Sequence, residues 1–524
     1  MILQYLIFPF LLTMLIMPVG IKFFHYLDML DHPDTRKVHD NPIPASGGVI
    51  FYLSFMACLV YFVPMTTVLK AYILGVSFLV VVGLVDDIKP LSPNYKFLAQ
   101  IIAAFIFLSI TKIHLDIPYL QTYPLISLTV GTIFIVGITN SINLIDGLDG
   151  LASGISIIAA STLSLFFVST PYLPVFLILI AVVFGFLRAN TFPASIFMGD
   201  SGSYFLGYTL AIFSLVGVGD SLVPLWFPLL VLFIPILDTN MVFFKRLRER
   251  RPIFKADKNH IHHRIQQSGI SHKNTVFLLY SFKMVFALSA ILLTQGGNRF
   301  LPVSLILLGL LTLQHVFLIL REDLHLIPPA NNTAYLNIFK RFPVFQRAYV
   351  YYFMVVLIGL SMILVITSRQ PMGLADMGLI FIAIITAFLF IIDNNAGRTV
   401  NVSIGMIILA GFALIFAETE LVRILDWPFT NVIWLLLLGG ITLSSMGMFK
   451  SRHFFDSPTE YLLTIVLLIY SQNHFSMPLA TAMVKLILLF LVYKILLQDP
   501  FIRRYNVIYV LNIITLCLMV SLNI

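Results

Sequence analysis

The chain has 524 residues, of which 59% are apolar and 11% charged, with a mean hydropathy of +0.98. That composition excludes an ordinary soluble domain, and its continuous, non-alternating apolar runs exclude a transmembrane barrel. The formal charge of +8 could point toward nucleic acid, but its distribution along the chain assigns it to the membrane.

Apolar runs of about 20 residues recur from end to end and predict an all-α polytopic membrane protein. About eighteen spans start near residues 2, 48, 69, 97, 124, 152, 172, 203, 222, 275, 299, 349, 376, 401, 429, 458, 478 and 506. The first run, Met1 to about Phe24, lacks a basic leading segment and a small-residue cleavage site, so it reads as a span rather than a removed signal. With Met1 outside, about 25 of the 32 Lys and Arg fall in inner loops. Lys70, Lys112, Arg299, Arg369 and Arg423 fall outside, and Lys283 and Lys485 within spans. This asymmetry orients the chain and makes the positive charge a matter of topology and contact with anionic lipid. Cys58 and Cys517 each lie in an apolar run without a metal-like neighbour and read as small core or lipid-facing residues.

Five polar islands interrupt the first part of the chain, all on the inner side. The first holds Asp31-His32-Pro33-Asp34-Thr35-Arg36-Lys37-Val38-His39, then Pro42, Pro44 and Gly47-Gly48. Arg36, Lys37 and His39 are candidate contacts for phosphate or lipid head groups; a structured turn with basic flanks is the plain alternative. In the second, Asp86-Asp87 closes the third span, with Lys89 and Lys96 after it. Adjacent carboxylates raise each other's pKa unless a cation or base stands near. They read as an acid/base pair close to magnesium with a lysine for phosphate, or simply as helix-end charges.

The third island, Asn140 to Gly154, holds two asparagines and two aspartates between apolar runs. An aspartate near hydrocarbon costs about 2.5–3.5 kcal/mol on insertion scales, which makes such an acid a functional candidate. Asn143, Asp146 and Asp149 are three apart, so a helical segment would stack them on one face and offer oxygen ligands to a hard divalent cation. A polar hairpin between spans is the bland reading. In the fourth, Phe197-Met198-Gly199-Asp200-Ser201-Gly202-Ser203 sets an acid among small residues that allow close approach to an anion. Helix N-caps often look the same, and a serine nucleophile is discounted because no suitable His/Asp set lies outside the membrane. The fifth, His260-Ile261-His262-His263-Arg264, follows a basic run that reads as the inner flank of a span. Without a cysteine or paired carboxylates nearby, its histidines fit pyrophosphate better than zinc.

Beyond about residue 325 the spans continue, but their loops carry ordinary charges. The segment Arg321–Arg347, with Pro328 and Pro329, is the best boundary, dividing the chain into residues 1–325 and 326–524.

Taken together, R-K-x-H…P-x-P…G-G, Asp86-Asp87, N-x-x-N-x-x-D-G-x-D-G at Asn140–Gly150, F-M-G-D-S-G-S and H-I-H-H-R resemble the polyprenyl-phosphate N-acetylhexosamine-1-phosphate transferases, in order and spacing. These are the enzymes that start O-antigen, enterobacterial common antigen and wall teichoic acid, with the lipid I-forming translocase as a relative. The resemblance covers roughly residues 1–325. It implies a core of about ten or eleven helices, leaving about seven additional C-terminal ones. It implies attack by undecaprenyl phosphate on a UDP-N-acetylhexosamine, with release of UMP, at the inner face of a bacterial cytoplasmic membrane. Mg²⁺ (or Mn²⁺) is the implied cofactor, and a homodimer is common in the family. Carried over by position, Asp200 and Asn143 would hold the metal, and Asp86 and Asp87 would activate or position the lipid phosphate. Lys96 would contact phosphate; Asp149, Gly147, Asn190 and Phe197 match positions that hold uracil, with Asp146 beside them; and His262, His263 and Arg264 would contact pyrophosphate. The H-x-H-H-R form is closer to the sugar-only branch, which favours UDP-GlcNAc.

Two other classes stand against this reading. A transporter or flippase would suit so many spans, but transporter sites usually lie near the membrane midplane. A non-catalytic scaffold would have little need of the full acid set. Nothing in the resemblance assigns the C-terminal spans a task, and truncation near Pro328 is expected to leave the chemistry intact.

Overall fold

The computed structural model describes residues 2–31, 42–113, 123–250, 260–295, 323 and 458–470. Among the described residues the regular elements, joined by turns and loops, are helices apart from one antiparallel pair, β1 (Leu30–Asp31) with β2 (Ile43–Pro44), which brackets the first island. Arg36, Lys37 and His39 lie outside the described residues, as does Cys517; Cys58 is buried.

The helices are α1 (Ile2–Tyr26), α2 (Gly47–Phe62), α3 (Thr67–Ile88), α4 (Pro93–Thr111), α5 (Pro124–Ile145), α6 (Leu151–Ser164) and α7 (Leu173–Asn190). There follow α8 (Gly199–Gly219), α9 (Trp226–Val231), α10 (Phe233–Arg248), α11 (Ile261–Gln267), α12 (His272–Gln295) and α13 (Pro458–Tyr470). Local chemistry sets several starts. The Thr66 side chain accepts from the Leu69 amide, and Pro93 and Pro124 occupy opening positions where no intrahelical donor is lost.

Among the described residues seven helices are long and apolar enough to cross a membrane, and the chain is a multi-pass membrane protein. Shorter apolar helices, α2 and α6, stand where spans were expected near residues 48 and 152. The span expected from residue 222 is instead broken into α9 and α10, with the break at Leu232 and the basic run Lys245–Arg248 ending α10. The expected spans from residue 299 onward lie outside the described residues, except α13.

α8 is the central helix: residues 201–218 are all buried, and α2, α3, α5 and α6 pack around it. Close packing needs small residues here. A Cβ at Gly48 would meet the backbone of Gly202, so α2 and α8 touch nearly backbone to backbone. Outer helices instead present large apolar side chains such as Leu15, Val19, Tyr61 and Ile133, as lipid-facing surfaces should. The alternating direction of the helices matters most for the site. It brings the end of α3, the start of α4, the end of α5, the start of α6, the end of α7 and the start of α8 to one face of the bundle. By its contacts α13 belongs to the same compact unit as residues 1–326. Most of the proposed 326–524 region lies outside the described residues.

Candidate active site

Asp200 is the hub. Its Oδ1 accepts from Asn143 Nδ2 at 2.8 Å, and its Oδ2 accepts from Lys96 Nζ at 2.8 Å and Tyr204 OH at 3.1 Å. Lys96 also donates to Asp86 Oδ2 at 2.6 Å, and the Leu91 amide donates to Asp86 Oδ1 at 2.6 Å. Asn143 donates again to Ser203 Oγ at 2.9 Å. One lysine thus bridges two carboxylates whose residues lie on different helices, α3 and α8.

The adjacent acids do different work. Asp87 turns to the start of α8, accepting from the Asp200 amide at 2.6 Å, the Ser201 Oγ at 2.8 Å and the Ser201 amide at 3.4 Å. It therefore caps α8 from another helix, satisfying donors that a helix start leaves open and placing negative charge at the positive end of the dipole. Gly199 makes this approach feasible. Its φ is +74°, and a Cβ there would meet both carboxylate oxygens of Asp87.

The expected helical face of Asn143, Asp146 and Asp149 does not form, and this is a correction. α5 ends at Ile145; Asp146 has φ −77°, ψ 62°, and Gly150 opens α6 with φ +78°. The D-G-x-D-G segment is a turn, in which Gly150 takes the left-handed conformation that leads the chain into α6. Asn143 keeps the helical position and reaches Asp200, whereas Asp149 Oδ2 accepts from the Ala194 amide at 3.0 Å. Asn190 is buried with its amide committed inside the protein. Its Oδ1 accepts from the Gly150 amide at 3.0 Å and Ser153 Oγ at 3.4 Å, and its Nδ2 donates to Ile196 O at 3.0 Å. Asn190 thus ties the turn to the chain that leads into Phe197. The Phe197 backbone is clamped in turn by the first island, donating to Pro44 O at 2.8 Å and accepting from the Gly47 amide at 2.9 Å.

The histidine motif closes the face. His262 packs on Gly147, where a Cβ would strike the imidazole. It is 2% exposed, with neither ring nitrogen hydrogen-bonded among the described residues. Burial, reinforced by His263, lowers its pKa from 6.5 to about 3. His263 lies beside it, ring centroids 4.3 Å apart, and Arg264 is exposed. Asp238 on α10, 1% exposed, anchors the motif: its Oδ2 pairs with His260 Nδ1 at 2.8 Å and its Oδ1 accepts from the Ile261 amide at 2.6 Å. Ser203 lies in the fourth island, whereas Asp238 and Tyr204 belong to none of the sequence motifs. Asp238 carried a usable signal, an acid within the apolar run Val223–Phe244.

These residues suit a hard divalent cation. The Asp146 carboxylate accepts no hydrogen bond among the described residues. Burial first, then the charges of Asp200, Asp87 and Asp149, pushes its pKa from 3.8 up to about 8. Asp200 uses three of its roughly four acceptor positions. Among the described residues no group of three metal-binding side chains is assembled. Mg²⁺ commonly takes only one or two carboxylates together with substrate phosphates, so Asp200, Asp146 and the Asn143 amide oxygen fit its needs.

The family model for glycosyl transferase family 4 matches residues 69–218, the stretch that carries Asp86, Lys96, Asn143 and Asp200. A probable undecaprenyl-phosphate N-acetylglucosaminyl 1-phosphate transferase of Bacillus subtilis (strain 168) is 38% identical over 304 residues, covering 55% of this chain and 83% of the relative. The chain belongs to the polyprenyl-phosphate N-acetylglucosamine-1-phosphate transferase family. Two further relatives agree. The decaprenyl-phosphate N-acetylglucosaminephosphotransferase of Mycobacterium leprae is 31% identical, covering 50% of this chain and 76% of its own length. The undecaprenyl-phosphate alpha-N-acetylglucosaminyl 1-phosphate transferase of Salmonella typhi is 28% identical, covering 57% and 84%. A transferase of this family has two anionic substrates to bring together, and the second to fifth islands converge where cationic and acidic groups alternate.

Proposed function

We propose that the protein transfers N-acetylglucosamine 1-phosphate from UDP-N-acetylglucosamine to undecaprenyl phosphate, releasing UMP, at the cytoplasmic face of a bacterial inner membrane. The observation that carries this reading is Lys96 held between Asp86 and Asp200, with His262, whose ring nitrogens have no hydrogen-bond partner among the described residues, across the same face on Gly147. Such a face offers cations and imidazole donors to phosphates, and carboxylates to a metal. The inner-face assignment is supported by the distribution of Lys and Arg.

A lipid-phosphate oxygen attacks the sugar-bearing phosphorus; a new P–O bond forms there and the bond to UMP breaks. Bound Mg²⁺ would supply charge neutralisation to the pyrophosphate, held by Asp200 with Asn143 and Asp146. Lys96 offers an ammonium to phosphate while remaining tethered to Asp86. His262, neutral when buried alone, has a ring N–H for a pyrophosphate oxygen, and an anion there would raise its pKa again. Arg264, exposed beside it, can reach the same group. A phosphate monoester with a second pKa of about 6 is already largely dianionic at neutral pH. Attack therefore needs positioning more than a base, and with both Asp87 oxygens engaged at α8, direct attack is favoured over an aspartyl-phosphate route.

The test is UMP release from purified protein with undecaprenyl phosphate and a panel of UDP-sugars, with and without Mg²⁺, beside Asp200→Asn. Turnover dependent on Mg²⁺ and Asp200, and greatest with UDP-GlcNAc, is expected. No UMP from any sugar in folded protein would overturn the proposal.

A further inference from the structure

α13 lies 132 residues beyond Leu326 at its start (458 − 326), in the part of the chain that the motifs do not reach. It nevertheless packs against α6 and α12. Tyr461, Leu462, Ile465 and Ile469 are fully buried. Three hydroxyl pairs link it to the core: Thr459 with Thr191 at 2.6 Å, Tyr461 with Ser281 at 2.6 Å and Tyr470 with Ser164 at 2.9 Å. They fall at both ends of the helix, so the contact runs its length, about 20 Å at 1.5 Å per residue. Inside a bilayer, apolar packing alone hardly distinguishes a helix from lipid, and paired hydroxyls supply direction and register.

The contacts fall on supports of the site. Thr191 directly follows Asn190 and precedes the loop whose Ala194 amide bonds Asp149. Ser281 directly follows Tyr280, whose hydroxyl donates to Gly150 O at 2.6 Å. Thr459 and Tyr461 therefore abut the two residues next to those that hold the Asp149–Gly150 turn.

We infer that helix 458–470 is a strut of the transferase unit, seated against α6 and α12, that holds the Asp149–Gly150 turn through Thr191 and Ser281. On this inference the transferase unit includes helix 458–470, and truncation near Pro328, expected from the motifs to spare the chemistry, should instead impair it. The effect on substrate rests on the proposed function; the seating does not.

Two measurements on the full chain test this. Thr191→Cys with Thr459→Cys, in a chain carrying a protease site after Pro329, should yield halves joined by an oxidant-formed link, which either single cysteine fails to give. Separately, Thr459→Val with Tyr461→Phe and Tyr470→Phe should lower the melting temperature by about 4 °C. In that variant KM for the UDP-sugar should rise about threefold with kcat unchanged. Restoring a hydroxyl with Ser at 459 should recover part of both. No link in folded protein overturns the seating, and a link with unchanged melting and KM overturns the strut. A parent chain that releases no UMP would count against the proposed function and leave the link and melting results standing.

Discussion

Replacing Asp238 with Ala probes the least obvious part of the site. Its two carboxylate oxygens hold His260 Nδ1 and the Ile261 amide at 2.8 and 2.6 Å, in a place where Asp238 is 1% exposed. Hydrogen bonds to a carboxylate contribute about 1.5–3 kcal/mol each, so losing both removes about 3–6 kcal/mol. Water cannot easily replace them at such burial. If about 3 kcal/mol of this holds His262, His263 and Arg264 in place, kcat/KM falls about 100-fold, at about 1.4 kcal/mol per tenfold. Asp238→Asn keeps one acceptor for the Ile261 amide and should lose only about tenfold. The assay is UMP release, with the melting temperature measured beside it. Activity within about twofold of the parent in Asp238→Ala, with unchanged melting, would show that the motif needs no anchor and refute the reasoning.

Neighbouring acids should separate by phenotype. Asp87→Asn removes the cap on α8 and is expected to cost about 1–2 kcal/mol of stability, seen as a lower melting temperature, whereas Asp86→Asn should lower kcat with little change in melting. Equal melting losses would contradict that division. The raised Asp146 pKa has a definite sign. Because its folded value of about 8 lies above the ordinary 3.8, its stabilising contribution in metal-free protein is complete below about pH 4 and is lost as pH rises through about 8. Asp146→Asn should flatten that slope, and Mg²⁺ should stabilise the parent more at pH 9 than at pH 6; a slope unchanged in the variant would refute this. Lys283 on α12 is fully buried with no partner for its Nζ among the described residues. An unpaired buried ammonium is costly, so Lys283→Met should raise the melting temperature, by about 2–4 °C for each kcal/mol recovered. A fall would mean that an anion meets the lysine.

Sequence alone was enough for the class, the family and the choice of islands. Hydrocarbon penalises each polar residue, so an aspartate or asparagine amid apolar runs is visible at once, and Asp200, Lys96 and Asn143 could be picked out before any fold was known. Asp238 is legible by the same criterion, as an acid within an apolar run. Three things were decided only by tertiary structure. Asp86 and Asp87 look equivalent side by side, yet one faces a lysine and the other a helix start, because the direction of a side chain depends on what packs across from it. The three-residue spacing from Asn143 to Asp149 suggested one helical face, but glycine turns the chain there and sends Asp149 to Ala194. The membership of α13 rests on hydroxyls meeting residues up to 306 positions away. Local composition reports what a residue costs in a membrane; only the packed chain determines which partner offsets that cost.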